Sequence, residues 1–166
     1  MQIIAVTGTP GAGKTRLSER LAKDLGFHHL DLNSRILENK RYLRMDKQRD
    51  TAVVDESKIG KITQGFLPGG ASGAVVDSHM SHFLDPSSVV TCIAVKARLP
   101  TIKRRLEKRG YPSRKVRENL DAEIFDICLT EAQERGHKVI IANSPLDREA
   151  YRTLLKAVRK ALISTK

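Results

Sequence analysis

The stretch Gln2-Ile3-Ile4-Ala5-Val6-Thr7-Gly8-Thr9-Pro10-Gly11-Ala12-Gly13-Lys14-Thr15 decides the fold. An apolar, β-branched run leads into a turn that fits G-x-x-x-x-G-K-S/T at every fixed position, and an amphipathic stripe of Leu17, Leu21 and Leu25 follows. Strand, glycine turn and helix in that order make a phosphate-binding loop. Gly8 and Gly13 allow a backbone path that other residues resist, Gly11 lets a phosphate approach closely, and the amides converge on an anion at a helix N-terminus. Lys14 then reaches the β- and γ-phosphates, and Thr15 holds Mg²⁺.

Outward from the loop, a helix over 14–25 is stopped by Gly26, and a short strand covers 27–32. His28 and His29 stand side by side in that strand and face opposite ways, which reads as structural. Asn33 or Ser34 is expected to cap a helix over 35–43. Residues 44–51 are polar, without apolar periodicity, and are expected to form a mobile basic excursion that can hold a second phosphate-bearing substrate. A solvated loop is the alternative. Asp55 is a candidate cap for a helix over 57–66.

The run 73–77 ends in a carboxylate, Asp77, beside the loop threonine, where it bears on Mg²⁺ directly or through water. His79 lies two residues on, so extended geometry would aim both side chains at the phosphates. That makes His79 a stronger candidate than His82 or His137. Residues 88–95 form a continuous apolar strand, as a parallel strand covered on both faces requires. In the helix over 100–109, Leu99, Ile102 and Leu106 form the expected buried stripe, while Arg105 and Arg109 flank it. A cation aimed inward at a helix end suits phosphate, and Arg offers a bidentate fork. An internal salt bridge is the competing reading. Gly110-Tyr111-Pro112-Ser113 breaks this helix, and a second over 114–135 carries Val116, Leu120, Ile124 and Ile127 on one face. A fifth strand over 138–142, a turn at 143–146 and a last helix capped by Asp147 complete the chain.

The 166 residues suffice for one well-buried core, so a single domain over 1–166 is expected. Neither a long apolar run nor a signal-peptide pattern occurs, and the reading is a soluble cytoplasmic protein, nuclear in a eukaryote, with no membrane partner. Cys92 and Cys128 lack metal-ligand spacing and read as free thiols in a reducing compartment. Thirty Lys and Arg against 19 Asp and Glu give +11, more than nucleotides require. The surplus fits either a contact with RNA or a solvated basic surface.

Alternating strands and helices around the loop make a doubly wound, five-stranded parallel α/β fold of the P-loop NTPase class. The excursions over 33–54 and 108–118 match the NMP-binding and lid segments of nucleoside monophosphate kinases. Gly8 to Thr15, Val75-Val76-Asp77-Ser78-His79, Arg105-Leu106-Glu107-Lys108-Arg109-Gly110-Tyr111 and Glu118-Asn119-Leu120-Asp121-Ala122-Glu123-Ile124-Phe125 narrow the likeness. Through them the chain resembles the small archaeal and eukaryotic adenylate kinase family that includes the coilin-interacting nuclear ATPase. The resemblance implies ATP contacts at Gly11, Gly13, Lys14, Thr15, Arg16 and Arg109, with Arg16 in place of the usual Thr. It implies a metal-side Asp77, a water-positioning His79, a neighbouring lid Arg105 and an adenine-side loop running to Arg148. Arg35 corresponds to the arginine for the AMP phosphate, in a segment, Asn33-Ser34-Arg35-Ile36, that does not align cleanly. Reversible Mg²⁺-dependent transfer between ATP and AMP, intrinsic ATPase activity and binding to a small-subunit ribosomal protein during rRNA maturation are implied together. A metabolic kinase and an ATP-driven assembly factor both remain open, with a shikimate- or gluconate-type kinase as a minor alternative. The lack of an N-K-x-D motif disfavours a GTPase.

Overall fold

β1 (Gln2–Thr7) sends Ile3 and Ala5 to one face and Ile4 and Val6 to the other, and each pair joins a different apolar core. In this computed structural model, which describes residues 1–46 and 51–164, the chain continues through α1 (Lys14–Leu25), β2 (His28–Asp31) and α2 (Leu32–Glu38). The antiparallel pair β3 (Arg44–Asp46) and β4 (Thr51–Val53) follows, then α3 (Ile59–Phe66), β5 (Gly73–Asp77) and β6 (Val89–Ala97). The last elements are α4 (Leu99–Lys108), α5 (Ser113–Ile124), α6 (Ile127–Glu134), β7 (Val139–Ser144) and α7 (Arg148–Ser164).

Five strands form one parallel sheet in the order β2-β5-β1-β6-β7. On one face, Leu17 and Leu21 of α1 and Leu154 and Val158 of α7 pack over Ile4, Val75 and Ile93. On the other, Leu32, Ile36, Ile59 and Ala132 from α2, α3 and α6 pack over Ala5, Val76 and Cys92. This is the expected doubly wound P-loop architecture. Each fully buried aliphatic side chain contributes roughly 1.5–3 kcal/mol, so both layers hold the sheet rigidly beneath the loops at its strand ends. Such loops at the carboxyl ends of parallel strands are where ligands bind.

Four local expectations are corrected. α2 is capped one turn earlier than expected, by Asp31, which accepts from Ser34 N at 3.1 Å and Ser34 Oγ at 2.7 Å. Asn33 is drawn away by Ser78, whose hydroxyl donates to Asn33 Oδ1 at 2.9 Å. Around the expected irregular segment 44–51, residues 44–46 and 51–53 pair as a hairpin, while 47–50 lie outside the described residues. The expected helix 114–135 is two helices, broken where Asp126 takes a left-handed φ of 54° and pairs with Lys96 of β6. The break turns Ile124 and Ile127 outward, to 55% and 41% exposure, instead of continuing the stripe of Val116. Leu99, expected in the buried stripe of α4, is 37% exposed because Ile102 and Leu106 alone fill the contact with α5.

Candidate nucleotide-binding site

The turn after β1 is shaped by its packing as much as by its conformation. Gly8 has φ 140°, and a Cβ there would sit 2.3 Å from Val95 O of β6. Gly13 has φ 106°, and a Cβ would sit 2.7 Å from Ser144 Oγ of β7. Any side chain would therefore push the loop off the sheet. Gly13 also begins α1 without a side-chain cap, which leaves the amides of the first turn directed at the cleft.

Lys14 is buried, and its Nζ donates to Gly8 O at 2.8 Å and Thr9 O at 3.3 Å. Burial lowers its pKa, and the carboxylate of Asp77 works against that shift. A buried ammonium held by carbonyls alone is a costly arrangement that an anion relieves. Asp77, in register with Val6 on one side and Asp31 on the other, ends β5 at 2% exposure. Its Oδ2 finds no hydrogen-bond partner among the described residues, and His29 Nε2 stands 3.7 Å away. The Asp77 carboxylate raises the pKa of His29. A buried carboxylate oxygen with no hydrogen-bond partner among the described residues and an exposed Thr15, both lining one cleft, fit the oxygen-rich surroundings that Mg²⁺ prefers.

His79 lies in a turn rather than an extended strand, yet it lines the cleft together with Asp77 and Lys14. Burial, reinforced by Lys14, pushes its pKa down to about 4. The imidazole is therefore neutral at physiological pH rather than poised near neutrality. Arg105 donates from Nη1 to Gly11 O at 2.8 Å and Ala12 O at 3.1 Å, so it fastens α4 to the loop. Arg109, at the end of α4, is exposed and lines the cleft with Lys108, Tyr111 and Lys115. Arg16 also lines it.

The cleft encloses about 1630 Å³, more than the roughly 300–1,000 Å³ of a site for one small ligand. Its far wall is Asn33, Ser34, Ile36 and Leu37 of α2 with Met45 and Ala52 of the hairpin. Two expected contacts are not brought in. The Arg35 guanidinium lies 3.5 Å from Glu38 and 5.3 Å from the Phe66 ring centroid, and Arg35 does not line the cleft. Arg148 is exposed outside it, although Ser144, Pro145 and Leu146 of the same loop line it.

Sequence reasoning gave no role of their own to three groups. His82, buried and lowered to about 4 mainly by burial, lies between Thr7 Oγ1 at 2.7 Å and Glu131 Oε2 at 2.8 Å. Glu131 is 40% exposed and solvent screens its carboxylate, so burial prevails. Tyr151 donates to Asp24 Oδ2 at 2.6 Å and carries the Arg20 guanidinium 3.5 Å above its ring. Glu123 is buried against the loop itself. Its signal was legible, since it lies three residues after Leu120 and seven after Val116, an acid on an apolar stripe. Among the described residues no cluster of three metal-ligating side chains occurs, and no helix is long and apolar enough to cross a membrane.

Residues 4–126 match the family model described as AAA domain. The Methanocaldococcus jannaschii protein named "Putative adenylate kinase" is 35% identical over 144 residues, covering 87% of this chain and 79% of the relative. A Thermococcus kodakarensis protein of the same name is 35% identical over 164 residues, covering 96% and 87%. Among solved structures, shikimate kinase from Acinetobacter baumannii in complex with shikimate superposes with a TM-score of 0.62. It covers 100% of this chain and 95% of its own at 14% identity, a likeness of fold alone.

Proposed function

The chain belongs to the AAA domain family and to the family of those archaeal relatives, and on that premise we propose that it is a nucleoside monophosphate kinase of the adenylate kinase type. The observation that carries the reading is one cleft with two walls. Lys14, Thr15, Asp77, His79 and Arg109 line it on the loop side, and α2 with the β3–β4 hairpin lines it opposite. The segments over 33–54 and 108–118 then serve as the monophosphate-binding and lid segments of one domain.

ATP places its phosphates on the loop amides and Lys14, with its adenine toward Ser144, Pro145 and Leu146. Thr15 and Asp77 would hold Mg²⁺, which when bound neutralises charge developing on the phosphate oxygens. Arg109, free to swing in from the end of α4, adds positive charge at the γ-phosphoryl, whereas Arg105 acts mainly by holding Gly11 and Ala12 in place. An acceptor monophosphate brings an ionised oxygen and needs little help from a base. Hydrolysis needs an ordered water, and a neutral His79 imidazole near Lys14 can accept a hydrogen bond from one. We extend the proposal to a slower ATPase activity through His79.

The implied small-subunit ribosomal protein and rRNA partners are kept as part of this reading, supported by the charge of +11 and by eight Lys and Arg against two Glu within residues 99–118. The experiment is a coupled assay of ATP with AMP, GMP, CMP or UMP, following diphosphate against free phosphate. Diphosphate formation with AMP well above phosphate release is expected. Phosphate release indifferent to every monophosphate would overturn the kinase reading.

A further inference from the structure

Glu123 is buried at the inner end of α5, and both of its carboxyl oxygens are engaged across the fold. Oε2 accepts from Thr9 Oγ1 of the phosphate loop at 2.6 Å, and Oε1 accepts from Ala97 N at 2.9 Å, where β6 turns into α4. A carboxyl group withdrawn from water is costly unless its acceptors are filled, and an apolar residue would pack there more cheaply. Arg105 of α4 grips the same loop at Gly11 and Ala12. The two helices that meet in the lid segment, α4 and α5 (the lid helices), pack on each other through Ile102, Leu106, Val116 and Leu120. They therefore clasp the phosphate loop on both sides of Pro10, one through a cation and one through a carboxyl group. Immediately beyond Glu123 the chain bends at Asp126, which Lys96 pins to the same end of β6.

We propose that Glu123 is a positioning residue of the nucleotide site, coupling the set of the phosphate loop to the lid helices so that a nucleotide seated on the loop orders the lid. The inference rests on the reading of the cleft as a nucleotide site. It makes Glu123 act through Thr9 and Ala97 rather than on the substrate.

The test is amide hydrogen exchange of residues 1–26 and 99–124, with and without a non-hydrolysable ATP analogue and Mg²⁺, in the full chain and in Glu123→Gln, Thr9→Val and Thr9→Ser. Glutamine matches the size but offers one acceptor oxygen for two donors. In the parent chain the analogue should slow exchange in both segments. In Glu123→Gln and Thr9→Val, loop protection should persist, while the lid protection added by nucleotide should fall about tenfold or more. Thr9→Ser, which keeps the hydroxyl, should restore it, and the double variant should lose no more than either single one. Should Glu123→Gln not fold, the Thr9→Val and Thr9→Ser pair decides alone. Full nucleotide-linked lid protection in Thr9→Val would overturn the proposal, even with a lowered melting temperature. A parent chain showing no protection at the loop would overturn the nucleotide reading and this inference with it.

Discussion

The phosphate loop hangs from strands covered on both faces, where Val6, Val76 and Val95 are at most 1% exposed, whereas the opposite wall rises from a seven-residue helix and a hairpin whose Met45, like the preceding Leu43, is exposed. On the loop side, sheet register fixes each group: pairing of Val6 and Asp31 with Asp77 sets the carboxylate near the loop to within a strand spacing. On the insertion side, position depends on short-range contacts, namely the Asp31 cap, the Ser78 to Asn33 hydrogen bond and the stacking of Arg35 on Phe66. Chemistry that must be placed accurately sits on the rigid wall. Under the proposed function, the second substrate meets the wall that short-range contacts alone hold in place.

If this contrast is right, the largest loss comes from the rigid wall. Lys14→Ala removes the buried ammonium that the loop carbonyls hold at the phosphates. Diphosphate formation and phosphate release should fall together by about 10²–10³-fold, the range for one preorganised charge-stabilising group, with the melting temperature little changed. Turnover near the parent value would break the assignment.

His79→Ala should separate the two activities, lowering phosphate release by roughly ten- to a thousandfold and diphosphate formation much less. Because burial holds the pKa of His79 down near 4, the imidazole stays mostly neutral between pH 8 and pH 5. Phosphate release in the parent chain should therefore show no His79-linked fall until the pH nears 4. Stability follows the same sign: the unfolded histidine takes up a proton below about 6.5 and the folded one resists, so the melting temperature should drop as the pH falls from 6.5 toward 4. A rate that halves at pH 6.5 in step with His79, and not in His79→Ala, would contradict the neutral-imidazole account.

The smallest effect is expected at Arg35. Its guanidinium is half exposed, paired with Glu38 and turned onto Phe66, so Arg35→Ala should change KM for the monophosphate by no more than about threefold. A rise of a hundredfold would show that the insertion wall rearranges to bring Arg35 onto the phosphate.

Legibility in the sequence follows the same division. The five parallel strands, Gly26 as the stop of α1 and Asp147 as a cap could be read because periodicity and cap chemistry are local signals, while Asp55 caps a short 3-10 turn over Glu56–Lys58 ahead of α3. That Lys14, Asp77 and His79 line one cleft was readable from motif spacing, since the sheet fixes strand ends relative to one another, and Arg105 and Arg109 came from the helical projection and the family resemblance. What escaped depends on partners distant in sequence. The β3–β4 hairpin has only three residues to a side, too few to show a period in the sequence. The break at Asp126 reflects Lys96, thirty residues away. The outward turn of Arg35 reflects Phe66, and the burial of Glu123 depends on Thr9, 114 residues away.

The central claim is that one cleft holds two nucleotides, a donor on the loop wall and an acceptor on the insertion wall. The most direct measurement is the melting temperature with Mg²⁺ and either ATP or two adenosines joined through five phosphates, each at the same concentration. A ligand that engages both walls binds more tightly, and a hundredfold gain is worth about 2.7 kcal/mol. The account therefore predicts an upward shift about 5 °C or more beyond that given by ATP. A shift no greater than that of ATP would contradict it.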